Sequence, residues 1–193
     1  MPTPQYNLLY DDTVEILSGL PPSLSYHNLS HTLDVVKAAQ ALAVFEGITN
    51  ANDLLLLRTA ALLHDVGFVN AYQAHEKAGC LLAEPLLKTH GYTPDHIQSI
   101  QRMIMATVIP QKPPDKLSAI LCDADLDYLG RPDFFSIAFR LKKEWLNHNI
   151  ISTPEEWERR QLAFLKGHTY FTASAAQRRE AQKQKYIEEL SHR

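Results

Sequence analysis

Apolar positions recur along most of the chain every three or four residues, the spacing of an α-helix, and no stretch alternates convincingly as a β-strand does. The pattern predicts about nine helices, at residues 9–19, 29–46, 52–66, 71–89, 94–108, 115–129, 132–149, 154–167 and 172–191. Proline and glycine separate these segments, as at Pro21-Pro22 and at Gly130. Because no internal repeat or low-complexity linker interrupts the pattern, the sequence predicts a single all-α domain over residues 1–193.

The predicted helix 52–66 is apolar on nearly all sides, which is typical of a helix surrounded by other helices. It ends in His64-Asp65-Val66-Gly67, where Gly67 is placed to cap the helix. A histidine and a carboxylate at a buried helix end need partners, because an unpaired buried charge is costly. Taken alone, this pair is explained more simply as a core histidine hydrogen-bonded to its neighbours.

Two further helices direct polar side chains at the same core. His31 precedes Val35 by four residues on one helix and therefore points inward with it. The predicted helix 115–129 carries Asp123, Asp125 and Asp127. Its periodicity puts Asp125 nearest to the buried stripe, with a small margin over Asp127.

Two imidazoles and two carboxylates form a mixed nitrogen and oxygen set that suits a first-row divalent ion with open water positions. Such an ion lowers the pKa of bound water and polarises a phosphoryl oxygen, which is the chemistry of a phosphate hydrolase. The ligand types explain this chemistry without distinguishing Mn, Fe, Mg, Ni and Zn.

The order His31, His64-Asp65, Asp125 resembles the signature of the HD-domain superfamily of metal-dependent phosphohydrolases, which have an all-α bundle. Residues 26–31, which read YHNLSH, are similar to the YHNxxH motif of cyclic-nucleotide phosphodiesterases. His75-Glu76 after the HD pair resembles family members that continue into an HE motif. The resemblance covers about residues 23–130, and residues 131–193 are expected to pack on that core.

The resemblance implies roles for these residues. His31, His64, Asp65 and Asp125 would bind the metal ion. Asp65 would also orient the attacking water, and His27 would act as general acid toward the leaving oxygen. The expected reaction is hydrolysis of a small-molecule phosphate ester, a nucleotide mono- or diester in particular.

A second ion is less well supported. Binuclear members of the superfamily have two additional histidines, and His75 matches the first of them, whereas Thr107 stands near the place of the second. One ion is therefore favoured, and His75 is either a ligand of a second ion or a contact to the substrate phosphate. Arg131 is the other substrate-binding candidate, because a guanidinium matches phosphate in a bidentate manner.

Two other functions remain open from the sequence. A di-iron oxygenase of the same fold would want the full set of additional histidines, and a non-catalytic nucleotide-binding module would keep the fold without needing intact ligand positions. The face formed by Tyr186, Ile187 and Leu190 predicts that the last helix either packs on the chain or forms a homodimer contact.

Composition and charge indicate which partners and which cellular location to expect. Hydrophobic residues make up 45% of the chain and charged residues 21%, as in ordinary soluble proteins. The net charge of -3 gives no signature of nucleic-acid binding. The N-terminal residues lack the features of a signal peptide, no apolar run is long enough to span a membrane, and Cys80 and Cys122 fit packed thiols. We therefore expect a cytoplasmic protein.

Overall fold

The computed structural model describes residues 4–192, and within that range the chain forms α-helices, two short 3₁₀ segments and loops, without β-strands. The α-helices are α1 (Tyr6–Ser18), α2 (Leu29–Phe45), α3 (Ala51–Leu63), α4 (His75–Thr89), α5 (Pro94–Ala106), α6 (Lys116–Asp125), α7 (Phe134–Asn147), α8 (Pro154–Gly167) and α9 (Ala173–Ser191). The 3₁₀ segments are Val66–Val69 and Asp127–Gly130. The predicted all-α fold is confirmed.

Helix α3 occupies the centre of the larger hydrophobic core. Leu57 and Leu62 on this helix are 1% and 0% exposed, and the helix packs against α1, α2, α5 and α6. Helix α2 contributes its face through Val35 and Leu42. Burial on every side explains why the sequence of α3 has no polar face.

The predicted C-terminal ends of α3 and α6, the helix ends next to the candidate ligands, are wrong. Helix α3 stops at Leu63 instead of residue 66, and the chain turns into the first 3₁₀ segment. Helix α6 likewise stops at Asp125 instead of residue 129, where the second 3₁₀ segment follows. Apolar periodicity continues through both turns because their side chains are buried too, so it could not locate these breaks.

The prediction that Gly67 caps helix α3 is also wrong. Gly67 lies inside the first 3₁₀ segment, and the C-cap of α3 is His64. A Cβ atom on Gly67 would lie 1.8 Å from the carbonyl oxygen of His75 and 2.5 Å from the backbone nitrogen of Gly79. Glycine is needed here because the backbone of α4 lies directly against this turn.

The C-terminal helices enclose a second apolar cluster over the other 3₁₀ segment. It includes Leu129, Phe134, Trp157 and Tyr186, which are all at most 7% exposed. Ile187 and Leu190 pack against this cluster, so the apolar face of α9 is covered within the chain. This arrangement favours the packing interpretation of α9 over the homodimer contact.

Helix α9 lies close against the second 3₁₀ segment. A Cβ atom on Gly130 would lie 2.3 Å from the carbonyl oxygen of Arg179, and the Arg179 side chain donates to both carboxylate oxygens of Asp127 at 2.7 and 2.9 Å.

Cys80 and Cys122 are buried free thiols. Among residues 4–192, no helix has the length and apolar character required to cross a bilayer.

Candidate metal centre

Three side chains converge where α3 ends. The Nε2 atoms of His31 and His64 lie 3.4 Å apart, and Asp65 Oδ2 lies 3.4 Å from the first and 3.2 Å from the second. Each of the three residues offers one possible ligand atom, and these atoms all lie within 4.8 Å of one another. His64 and Asp65 are 1% and 4% exposed, so the group lies inside the protein.

Asp125 completes the group from the end of α6. Its Oδ1 atom lies 3.3 Å from His31 Nε2 and 3.6 Å from His64 Nε2. Asp123 instead accepts hydrogen bonds from the loop before α9, and Asp127 pairs with Arg179. The structure thus places Asp125, and neither neighbouring acid, beside the two histidines.

Local structure fixes the orientation of both imidazoles. Asn28 caps α2 by accepting hydrogen bonds from the backbone N–H groups of Ser30 and His31, which sets the start of this helix. His64 Nδ1 lies 2.9 Å from the carbonyl oxygen of Ala61. A carbonyl only accepts, so Nδ1 carries the proton and the lone pair of Nε2 faces the group.

The donor set fits a divalent cation. Asp65 Oδ2 is buried and has no hydrogen-bond partner with acceptable geometry, although two imidazole nitrogens lie within 3.4 Å of it. The carboxylate oxygen therefore lies close to both imidazole nitrogens without a hydrogen bond from either. An unpartnered buried carboxylate oxygen is costly, and a cation bound between these atoms would remove that cost.

The electrostatics of the group agree with this fit. Burial would lower the pKa of His64, but Asp65 and Asp125 beside it raise that pKa well above its usual value. Burial would raise the pKa of Asp65, but His64 and His31 hold it well below its usual value. The two carboxylates therefore favour a positive charge at the Nε2 atoms of the histidines. Protons and a metal ion compete for these nitrogen atoms.

His27 borders this group, at a position just before α2. Its Nδ1 atom is hydrogen-bonded to the carboxylate of Glu144 on α7. Its ring stacks on Phe68 with the centroids 4.2 Å apart, and the centroid distances to His31 and His75 are 5.9 and 6.0 Å. His27 thus faces the same cavity as the metal-ligating candidates.

Glu144 is a residue of this site that the sequence analysis missed. Its side chain is 0% exposed and also accepts hydrogen bonds from the backbone N–H groups of Tyr26 at 2.8 Å and His27 at 3.0 Å, and from the Tyr72 hydroxyl at 3.0 Å. Burial would raise the pKa of Glu144, but these hydrogen bonds, led by that from His27, lower it. A lone carboxylate seven residues after the buried Ile137, on the same helix face, was the available signal.

His75 lies on the other side of Asp65. Its Nε2 atom is 3.4 Å from Asp65 Oδ1 and 3.5 Å from Glu76 Oε1, and its ring stacks on Phe68 at 4.0 Å. Asp65 therefore faces His31 and His64 with one oxygen and His75 with the other. Thr107 lines the same cavity, and its hydroxyl donates to the carbonyl of Ile104.

Arg131 has carboxylate partners already. Its guanidinium donates to Asp34 Oδ2 at 2.6 Å and to both oxygens of Asp133 at 2.9 and 2.6 Å. These contacts lie on the wall of a polar cavity of about 390 Å³, which also borders His31 and Asp125. These hydrogen bonds use three of the five N–H groups of the guanidinium, and the two carboxylates offset the charge that a phosphate would meet there.

Taken together, the fold and this centre define a class: an all-α protein with a buried group of histidines and aspartates, a candidate metal site, at the end of its central helix. The family model of the HD domain matches residues 28–127, which is more than half of the 193-residue chain. The chain therefore belongs to the HD domain family, which is part of a superfamily of metal-dependent phosphohydrolases.

A solved structure supports the fold assignment. The crystal structure of a predicted HD superfamily hydrolase from an uncultured Thermotogales bacterium matches 98% of this chain and 91% of its own chain, with a TM-score of 0.66 and 20% sequence identity. At this identity the likeness shows a shared fold. No curated protein matches the chain.

Proposed function

We propose that this protein hydrolyses a phosphate ester with water activated at a divalent ion held by His31, His64, Asp65 and Asp125. The observation that carries the proposal is the unpartnered, buried Asp65 Oδ2 atom between two imidazole nitrogens. When bound, such an ion lowers the pKa of a water ligand and polarises the phosphoryl oxygen. In this assignment Asp65 also orients the attacking water.

His27 is the proposed general acid. The Glu144 carboxylate accepts from His27 Nδ1, so the Nε2 atom is the one left to face the cavity. A proton on Nε2 would pass to the oxygen of the departing alcohol as its bond to phosphorus breaks. The stack on Phe68 holds the ring in the required plane.

We assign His75 to the phosphate, because its Nε2 atom faces the same cavity from beyond Asp65. The alternative, a second ion between Asp65, His75 and Glu76, receives less support, since Thr107, whose hydroxyl donates to the Ile104 carbonyl, lies near the place expected for a second additional histidine. Arg131 remains a weaker candidate for phosphate because Asp34 and Asp133 hold it. A nucleotide is the proposed substrate class on the resemblance of residues 26–31 alone.

Metal content and activity test the proposal together. We expect about one divalent ion per chain by elemental analysis, and hydrolysis of aryl phosphates or nucleotides by the loaded protein. His64→Ala and Asp65→Ala should lose the ion and the activity, whereas His192→Ala, an exposed histidine at the end of α9, should keep both. Circular dichroism of each variant checks that it folds.

Two results would contradict the proposal. If His64→Ala and Asp65→Ala kept the metal content of the parent protein, the site would be elsewhere. If the loaded protein cleaved no ester at several metals but consumed O₂ with iron, the oxygenase alternative would replace the hydrolase.

A further inference from the structure

A second cavity, of about 270 Å³, opens directly from the candidate metal centre, and we call it the apolar chamber. His27, Asp65 and Asp125 form its wall on the side of the candidate metal centre. Helices α7 and α8, together with the second 3₁₀ segment, supply most of its remaining walls. These walls include Leu129, Phe134, Leu141, Trp145, Trp157 and Phe164.

The walls of the chamber are ordered by packing within the second apolar cluster. Phe134 is 1% and Trp157 is 6% exposed, so both rings are held by neighbours on their outer sides. Trp145 meets Trp157 edge to face with the centroids 5.3 Å apart. The chamber is therefore a preformed space and does not depend on side chains that extend into solvent.

Charge is distributed unevenly along the chamber. Asp65, Glu76 and Asp125 are the acidic residues of its lining, and all belong to the end at the metal centre. Arg160, the cation of the lining, donates to Glu156 at 2.6 Å and so is already paired. Away from that end, Gln161 is the remaining side-chain amide of the lining, so a charged or heavily hydroxylated group there would lose water and gain few matched partners, which costs several kcal/mol.

The volume sets the size of the occupant. A closed apolar cavity of about 150 Å³ is enough to bind benzene. The chamber, at about 270 Å³, has space for a flat group of about two fused rings. Trp145 and Phe164, the half-buried aromatic residues of its walls, offer the ring faces and edges that such a group packs against.

We propose that the apolar chamber binds a flat aromatic group on the organic part of the ester, so that the preferred substrates carry a ring system close to the phosphate. This inference rests on the proposed hydrolase function and adds the substrate class. Esters of polyols and small sugars are expected to be poor substrates. An aryl alcohol and a nucleobase share the required chemistry, and the experiment separates them.

The first part of the experiment measures binding to the chamber and needs neither a metal ion nor turnover. The chain has two tryptophans, and both line the chamber, so their indole N–H signals in a nitrogen-15 correlation spectrum report its occupant. We expect 2-naphthol or adenosine to shift both signals in a saturable manner, and glycerol to shift neither. A larger effect of 2-naphthol would indicate an aryl ester, and a larger effect of adenosine would indicate a nucleotide.

A matched pair of variants locates the binding. Leu141→Phe on α7 adds volume inside the chamber and should weaken binding of the ring compound by about tenfold. Leu146→Phe makes the same change on the same helix at a side chain that is 37% exposed and not part of the lining, and it should leave binding unchanged. Equal affinities in the two variants would overturn the inference.

The turnover arm distinguishes this inference from the proposed function. With metal-loaded protein, kcat/KM for 2-naphthyl phosphate or AMP should exceed that for glycerol 3-phosphate by about tenfold or more. If all three were cleaved equally and Leu141→Phe had no effect, the hydrolase would stand and the chamber inference would fail. If no ester were cleaved but the indole signals still shifted as described, the chamber would stand as a ring-binding site and the hydrolase would fail.

Discussion

Three aspartates within five residues have three different surroundings. Asp123 accepts hydrogen bonds from the backbone N–H groups of Phe171 at 2.9 Å and Thr172 at 2.7 Å. Asp125 faces His31 and His64 of the candidate metal centre, and Asp127 pairs with Arg179. An aspartate side chain therefore anchors a loop at position 123, faces the candidate metal centre at position 125 and holds α9 at position 127. The direction in which each side chain points decides between these contacts.

The same substitution at two of these positions should give different results. Asp125→Asn should reduce metal content strongly, because an amide is a much weaker ligand for a divalent ion than a carboxylate. Asp123→Asn should keep the metal but lower the free energy of unfolding by about 1–3 kcal/mol, because the amide nitrogen would face N–H donors. Elemental analysis and urea unfolding measure the two effects, and loss of metal in Asp123→Asn alone would contradict the assignment.

Glu144 acts through His27 and is a positioning residue. Glu144→Gln should lower kcat by about tenfold to a hundredfold, because a neutral amide holds the imidazole less firmly than the carboxylate does. Metal content should stay unchanged, since Glu144 does not border the ligand atoms. The exposed Glu158→Gln on α8 is the control. Loss of bound metal together with kcat in Glu144→Gln would indicate a merely structural role.

At the scale of elements, α9 is attached through a buried lysine. Lys183 is 1% exposed and donates to the His168 carbonyl at 2.6 Å and to His168 Nδ1 at 3.2 Å, while pairing with Glu180 at 3.0 Å. The hydrogen bond to Nδ1 requires a neutral imidazole. Burial, and then the charge of Lys183, lower the pKa of His168 to about 4.

This contact should make stability depend on pH. In the unfolded chain His168 binds a proton near the ordinary histidine pKa of 6.5, whereas in the folded chain its pKa is about 4. Stability should therefore be complete above about pH 6.5 and should fall as the pH drops toward 4, by ~3 kcal/mol at most. Urea unfolding between these pH values measures the slope, and His168→Gln should flatten it; an unchanged slope would contradict the assignment.

The sequence predicted elements better than their ends. Apolar periodicity located α2 and α3 because their buried faces extend over several turns. It missed the ends of α3 and α6, where the turn continues the buried face in a different backbone geometry. The candidate ligand residues could be proposed from their type and order, but Glu144 lies 117 positions from His27, and no local pattern predicts that contact.

For the whole molecule, the candidate centre joins three helices that are distant along the chain. Its side chains come from α2, from the end of α3 and from the end of α6. An ion that binds only the folded chain adds about 2.7 kcal/mol of stability at a hundredfold excess over Kd. For a chain of this length we expect Tm to rise by about 5–10 °C.

Calorimetry of chelator-treated protein, with and without added metal, measures this shift. Asp125→Asn should lose most of it. A similar rise of Tm in the variant would mean that the ion stabilises the protein from another place.

Gly67 has a consequence for recognising related proteins. Because the main chain of α4 touches this glycine directly, the spacing between Asp65 and His75 is set without any side chain between them. A chain with the same four candidate ligands but a larger residue in place of Gly67 could not hold α4 at the same distance. Its histidine corresponding to His75 would then face away from Asp65. Shared ligands are therefore an incomplete criterion of shared chemistry, and the glycine that no substrate touches belongs to the diagnostic signature.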